Sequence, residues 1–374
     1  MWKIPDAVAR RFPLVPRPRP ACLPLVQRVH ALTELAGTAA KLGDPSMAST
    51  VYNQAALIAS DIGLPNLARE MCHQHATAYL HAAPLTGRAA IRALEPVVNL
   101  ARLQLRAGKA DDGRQHLLTL FDAITTGSPA QVEDIAIPAD LVGHANDREE
   151  VRAWLWSILL ADGTRALTAA GCWAEALTHV QAHRGIGQRM LDGRQVAVIA
   201  ALVADHPAHA TALLGDTAPG EPWEQAVTAC LTALCHRSTG QPADHHAHEL
   251  ADIYVHLEPE PGTAAFDARL GLTILDVVRS DKEAAARRVV NELHRRATRL
   301  NDGYAARESL AHPLFTALAT DGQQKNCRDI VDACALGAGK LPDGLRDQLT
   351  AALRASHRTI RDALSVRSRA PRPG

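Results

Sequence analysis

The sequence predicts an all-α protein, a right-handed α-solenoid of roughly seven helical hairpins. Three observations carry that expectation. Hydrophobic residues make up 47% of the chain but aromatics only 3%, so alanine supplies much of the apolar content. Alanine is the strongest helix former and lets helices approach closely. A helix-ending turn residue recurs with a small residue five positions later. From Gly171 onward these turns are spaced 34, 35, 41 and 41 residues apart, within the window of stacked helix pairs.

The fullest copy of the turn is Ala170-Gly171-Cys172-Trp173-Ala174-Glu175-Ala176-Leu177. It follows an apolar helical run containing Trp154, Leu155, Ile158, Leu159 and Leu167. Glycine accepts the left-handed conformation that ends a helix, and Ala176 leaves room for the next helix. The spacing returns in Gly43 with Ala48, Gly63 with Ala68, Gly108 with Gly113, Asp205 with Ala210, Asp281 with Ala286 and Gly322 with Cys327. Gly240 departs from it, with His245 in the small position.

In chain order, residues 1–26 hold Pro5, Pro13, Pro16, Pro18, Pro20 and Pro24 among Arg10, Arg11, Arg17 and Arg19. Proline excludes a long helix there, so a flexible or extended Pro/Arg-rich arm is expected, with a basic docking arm as the sharper reading. N-terminal helical repeats should fill 27–125: a helix to Leu42, a restart at Asp44-Pro45, helices over 46–61, 66–82, 87–107 and 110–125, and a kink or break near Glu95 ahead of Pro96. Residues 126–146 read as a connecting loop, and Val132 to Pro138 carries enough β character for a small hairpin. C-terminal repeats should occupy 147–340, pairing 147–170 with 173–184, 188–204 with 207–214, 220–238 with 243–257, 263–280 with 282–300, and 304–320 with 323–338. A capping helix over 341–366 and a basic tail over 367–374 close the chain.

Formal net charge is zero, from 40 basic and 40 acidic residues. Wholesale nucleic-acid or membrane binding through net charge is therefore not suggested. The seven cysteines are scattered through helical segments with no CxxC, which fits reduced, buried thiols in a cytoplasmic protein. No signal-peptide core opens the sequence. Its longest apolar run, Val196–Ala204, has nine residues against the roughly 20 of a membrane span.

Motifs for chemistry are weak. Gly337-Ala338-Gly339-Lys340 lacks the earlier glycine of a phosphate loop, because position 334 is cysteine, and no strand precedes it. Gly185-Ile186-Gly187 lacks the third glycine of a dinucleotide fingerprint, and no nucleophile elbow of the GxSxG type occurs. The best metal candidate is the helical stripe His248, Asp252 and His256, four apart, with His245 and Glu249 beside it. Imidazole and carboxylate at that spacing suit zinc; the opposing reading is a solvated face behind Ala247, Leu250, Ala251, Tyr254 and Leu257. Cys72-His73-Gln74-His75 is a second such cluster, but helix residues one and two apart point in different directions, so a joint metal site is not expected there. No cofactor is implied.

For binding, Asn53, Gln54, Arg102 and Arg194 fall on first helices of hairpins. Their amides suit a peptide backbone and their guanidinium groups a carboxylate. Trp154 and Trp156, with Trp173 nearby, are either core between repeats or an anchor for a bound peptide.

Gly171, Trp173 and Ala176 match the turn of the tetratricopeptide-repeat family, which carries Gly, an aromatic two later and Ala five later. The chain resembles that family over most of residues 27–340, in degenerate copies. Through the Gly43-to-Ala68 stretch and the Gly171 turn it also resembles the helical sensor half of actinobacterial regulators. Only 26 residues precede the first helix, too few for a complete DNA-binding domain, so DNA binding is not supported. The resemblance implies a non-catalytic interaction module that holds a peptide or protein partner in a concave groove, in a regulatory or assembly (scaffold) role, and it admits a homodimer. Two alternatives stand beside it: an accessory or catalytic subunit of a biosynthetic enzyme using the His248 face, and an RNA-binding helical repeat.

Overall fold

A computed structural model describes residues 2–240, 244–278 and 283–369. The described residues are helical apart from one small hairpin and the connections. A single turn, α1 (Asp6–Ala9), precedes α2 (Leu25–Leu42), α3 (Pro45–Asp61), α4 (Pro65–Leu80), α5 (Gly87–Arg106) and α6 (Ala110–Thr126). Strands β1 (Ala130–Val132) and β2 (Ile135–Ile137) pair antiparallel, with Val132 opposite Ile135. Then α7 (Ala145–Ile158) runs through a π-helical turn, Leu159–Gly163, into α8 (Thr164–Ala170). The remaining helices are α9 (Trp173–Ala182), α10 (Asp192–Val203), α11 (Pro207–Gly215), α12 (Pro222–Ser238), α13 (Asp244–His256), α14 (Ala264–Val278), α15 (Glu283–Leu300), α16 (Gly303–Leu310), α17 (Pro313–Leu318), α18 (Asp321–Ala333) and α19 (Asp343–Arg369).

The turns between helices follow the glycine logic closely. Gly43, Gly63, Gly108, Gly171 and Gly240 have φ of 62°, 83°, 77°, 79° and 73°, and Asp205 takes the same role at 64°. Five residues on, Ala48, Ala68, Ala176 and Ala210 are completely buried. At Gly113 an added Cβ would lie 2.8 Å from the Ala101 carbonyl oxygen. Gly322 breaks the pattern. It lies in the first turn of α18, behind the capping box of Thr320 and Gln323. The left-handed residue in that part of the chain is Asn301 (φ 49°), followed by the N-cap Asp302 and by Ala306 five on, which is fully buried. Asparagine tolerates this conformation better than most side chains. Asp281, the side chain of His245 and residues 370–374 of the basic tail lie outside the described residues.

The chain divides into two compact units, one of Met1–Pro24 with Leu167–Cys334, the other of Leu25–Ala166 with Ala335–Gly374. We call them the arm-bearing unit and the hairpin-bearing unit. The division does not fall at the 126–146 loop. Val132, Ile135 and Ile137 are buried in the core of the hairpin-bearing unit, so that loop is part of a core and not a linker between repeat blocks.

Within the hairpin-bearing unit, α3, α4, α5, α6 and α7 each pack against the next helix, and α3 with α5 and α5 with α7 also touch. α5 continues unbroken through Pro96. Its side chains Ala93, Leu94, Val97, Val98, Leu100 and Ala101 are all buried, and that packing outweighs the one ladder bond the proline removes. The terminal helix does not cap the later repeats. α19 lies against α2, α3 and α4, and its stripe Leu349, Ala352, Leu353 and Ile360 enters their core. The approach is pinned by backbone bonds from Gly337 N–H to the Asp61 carbonyl (2.8 Å) and from Gly339 N–H to the Ile62 carbonyl (2.7 Å).

At the centre of this core His75 is stacked on Tyr52, with ring centroids 5.0 Å apart and 9° between planes, and meets the edge of Tyr79. Neither imidazole nitrogen has a hydrogen-bond partner. Burial pushes the His75 pKa down to about 3.

In the arm-bearing unit α10 packs on α9 and α11, α12 on α13 and α14, α14 on α15 and α16, and α16 on α18. Residues 2–22 are seated in it rather than projecting as a free arm: Phe12 and Leu14 are each 1% exposed and Cys22 is fully buried. An arm of prolines and arginines reads as unstructured because its partners lie more than 140 residues away.

Two outcomes follow. Ala176→Leu places three extra carbons where α9 approaches its neighbour, and thermal or urea unfolding should show a loss of about 1–3 kcal/mol. His75 is neutral when folded and charged when unfolded below its ordinary value. Its contribution is present above about pH 6.5 and is lost as pH falls toward 3. His75→Phe keeps the aromatic stack and should remove this acid sensitivity, on the order of 3 kcal/mol at pH 4, measured by urea titration from pH 7 to 4.

Candidate functional site

The hairpin-bearing unit carries a polar ladder on its first helices. Glu95, Asn99 and Arg102 lie four and three residues apart on α5, hence on one face. Asn53 of α3 donates to Glu95 (Nδ2 to Oε2, 2.7 Å) and accepts from Asn99 (Nδ2 to Oδ1, 3.1 Å). Arg102 donates to Asn99 Oδ1 (3.2 Å) and, through Nε, to Asp162 Oδ2 (2.8 Å). Asp162 belongs to the π-helical turn, the kind of local irregularity that re-aims side chains, and Arg165 approaches it at 3.6 Å.

Asp162 is buried while the Arg102 side chain remains 46% exposed, so guanidinium N–H groups stay open to a ligand. Burial raises the Glu95 pKa, against the Asn53 hydrogen bond and the charges of Arg92 and Arg102. The ladder therefore offers amide donors and acceptors, one cation and one reluctant carboxylate. Beside it Asp61 binds buried Arg28 at 2.7 Å and meets Arg106 at 3.5 Å.

Of the residues singled out in the sequence, Asn53 and Arg102 are brought into one network. Gln54 is half-buried next to Asn53. Trp154 packs half-buried against the core of this unit, and Trp156, two residues on and pointing elsewhere, is 39% exposed. Arg194 is different. It lies in the arm-bearing unit, buried, donating to the Leu213 carbonyl (2.7 Å) and Thr217 Oγ1 (3.3 Å). Its cation serves the carbonyl-rich end of α11 and does not line a groove. Sequence reasoning passed over Glu95, Asn99 and Asp162, although the spacing of the first two with Arg102 was visible.

The metal stripe is not assembled. Asp252 pairs with Arg288 at 2.6 Å, and His256 Nδ1 lies 2.8 Å from the Asp252 carbonyl. Among the described residues no group of three or more His, Cys, Asp or Glu side chains gathers as a metal site would. Cys72 and His75 are both buried, whereas His73 faces Glu133 at 3.5 Å. Burial pushes the Glu133 carboxyl up, but hydrogen bonds from Arg69 and Gln104 hold it below the usual carboxylate value.

The arm-bearing unit presents a second face, already in use. The Gln195 carboxamide on α10 accepts from Leu14 N–H (2.6 Å) and donates to the Leu14 carbonyl (2.8 Å). Asp192, also on α10, pairs with Arg17 at 2.7 Å. Arg11 pairs with Asp276 of α14 and donates to the Leu272 carbonyl (2.9 Å). Cys22 N–H reaches Asp302 Oδ2 (3.0 Å), and its carbonyl accepts from Gly303 N–H (2.8 Å) at the start of α16. Arg19 N–H bonds the Gly262 carbonyl, and its guanidinium lies 4.1 Å from the Tyr304 ring centroid. Trp2 sits beneath Arg237 of α12 at 5.0 Å.

No protein-family model, curated protein or solved structure matches the chain. Among the described residues no helix is long and apolar enough to cross a membrane.

The Glu95 carboxyl makes a prediction of definite sign. Its pKa is raised in the fold, so its contribution is present below about pH 4.5 and is lost as pH rises through the folded value. The stability of Glu95→Gln relative to the parent should therefore grow between pH 4 and 7, read from urea midpoints at each pH.

Proposed function

We propose that the chain is a non-catalytic interaction module, a right-handed α-solenoid of tetratricopeptide-like hairpins that binds a peptide or protein partner along its first-helix face. The observation that carries this reading is the ladder Asn53–Glu95–Asn99–Arg102–Asp162. It is a row of amide and guanidinium groups on successive hairpins, the chemistry that pairs with an extended main chain and with a carboxylate. The order of contacts, with α3 on α4 and α5, α5 on α6 and α7, α12 on α13 and α14, and α14 on α15 and α16, supports stacking of hairpins into an extended surface. A regulatory or assembly role in the cytoplasm fits such a module.

Panning a displayed-peptide library against the whole chain tests the proposal. A shared motif should be enriched. Asn53→Ala and Arg102→Ala should each weaken the selected peptide by about tenfold, from one hydrogen bond or ion pair lost. Selection of peptides that bind the double variant equally well would remove the ladder from the function.

A further inference from the structure

Residues 2–22 lie along α10, α12, α14 and α16, each the first helix of a hairpin. Their contacts are of two kinds. Some read main chain: Gln195 brackets both polar groups of Leu14, while Asp302 and Gly303 bracket those of Cys22. Others read charge: Asp276 takes Arg11, Asp192 takes Arg17, and the Tyr304 ring takes Arg19. Phe12 and Leu14 fill the apolar positions between. Residues 5–12 are closed by the helical turn α1 and its flanking bonds; beyond it, prolines at 13, 16, 18 and 20 keep the segment extended, so the backbone groups of Leu14 and Cys22 are free for α10 and α16. The segment joins the rest of the chain through Leu25, whereas the partners outside it described above come from residues 169–334. It is held in place as a ligand is held, by non-covalent contact.

We propose that this face is a receptor for extended, proline-containing segments of a partner protein that carry arginines about six residues apart, and that residues 2–22 are its resident occupant. The proposal rests on the binding-module reading and adds the ligand class and its regulation. The acidic pair Asp192 and Asp276 selects the arginines, and the main-chain brackets select an extended backbone. Tethered in cis, the arm acts at an effective concentration in the millimolar range, so a partner binds weakly until the arm is released.

The test uses the full chain and a fluorescein-labelled peptide of residues 2–24. The wild-type chain should show little anisotropy change at micromolar concentration. Arg11→Glu combined with Arg17→Glu weakens the resident arm and should take up the wild-type peptide one to one, at least tenfold more tightly than the wild-type chain does. A peptide carrying the same two glutamates should not bind. Hydrogen exchange of the wild-type chain gives a readout that needs no variant: excess peptide should speed exchange at the Leu14 and Cys22 amides. A folded double variant that binds no peptide, together with wild-type exchange unmoved by excess peptide, would make the arm a permanent part of the core. Concentration-dependent dimerisation abolished by the double substitution would assign the face to a second copy and overturn the partner. Neither substitution touches Asn53 or Arg102, so failure here leaves the peptide selection on the ladder as an independent result.

Discussion

Helices that are buried on nearly every side set the terms for this structure. In α10, every residue from Asp192 to Leu202 is buried, and α14 is buried almost throughout from Phe266 to Val278. Such a helix must be covered on more than the side its hairpin partner reaches. In the arm-bearing unit that cover is the chain's own N-terminal segment. In the hairpin-bearing unit, α19 performs the matching service for α2 and α3. Each unit thus closes over its buried helices with a segment from a distant part of the sequence, and both end segments are packed against a core where a repeat reading makes them appendages.

The same burial dictates how polar groups are treated. A buried main-chain N–H or carbonyl without a partner is strongly unfavourable. Phe12 and Leu14 could not enter the core unless something met the backbone between them, and the Gln195 carboxamide, itself fully buried, does so on both sides of Leu14. Cys22 is served in the same way by Asp302 and Gly303. In the hairpin-bearing unit the buried pair of Arg28 and Asp61 is likewise enclosed, and the Asp61 carbonyl accepts from Gly337. His75 departs from this rule on both of its nitrogens, which are tolerated unpaired because the imidazole stays neutral between two tyrosine rings.

Local rules reached far in this chain and long-range ones did not. The left-handed glycines and the buried alanines five residues later are short-range features, written in adjacent residues, and the all-helical architecture follows from them. Gly322 shows the limit, since the same spacing arises inside a helix when a capping box stands just ahead. Asn53 and Arg102 were legible as polar residues on first helices, but their joining through Glu95, Asn99 and Asp162 depends on stacking that no local pattern states. Arg194 failed for the opposite reason: nothing nearby in sequence announces that the end of α11 needs a cation. The arm was hardest of all, because proline and arginine content describes its conformation and says nothing about the residues far along the chain that hold it.

The two faces differ in what they can select. On the arm-bearing unit the charged groups that meet donors of the bound segment are the carboxylates Asp192, Asp276 and Asp302, while the Arg237 cation meets it at the Trp2 ring. On the ladder the most exposed charged group is Arg102, with its carboxylates drawn back: Asp162 is buried and Glu95 resists ionisation. A basic, extended segment fits the first chemistry and is repelled by the cation of the second, while an acidic chain end fits only the ladder. Charge sorting of this kind comes from a few groups at close range, in a chain whose net charge is zero, which is why composition alone could not reveal it. For the proposed binding roles, unlike faces avoid self-competition, since arginines of the kind that pair with Asp192 and Asp276 gain nothing from the cation of Arg102.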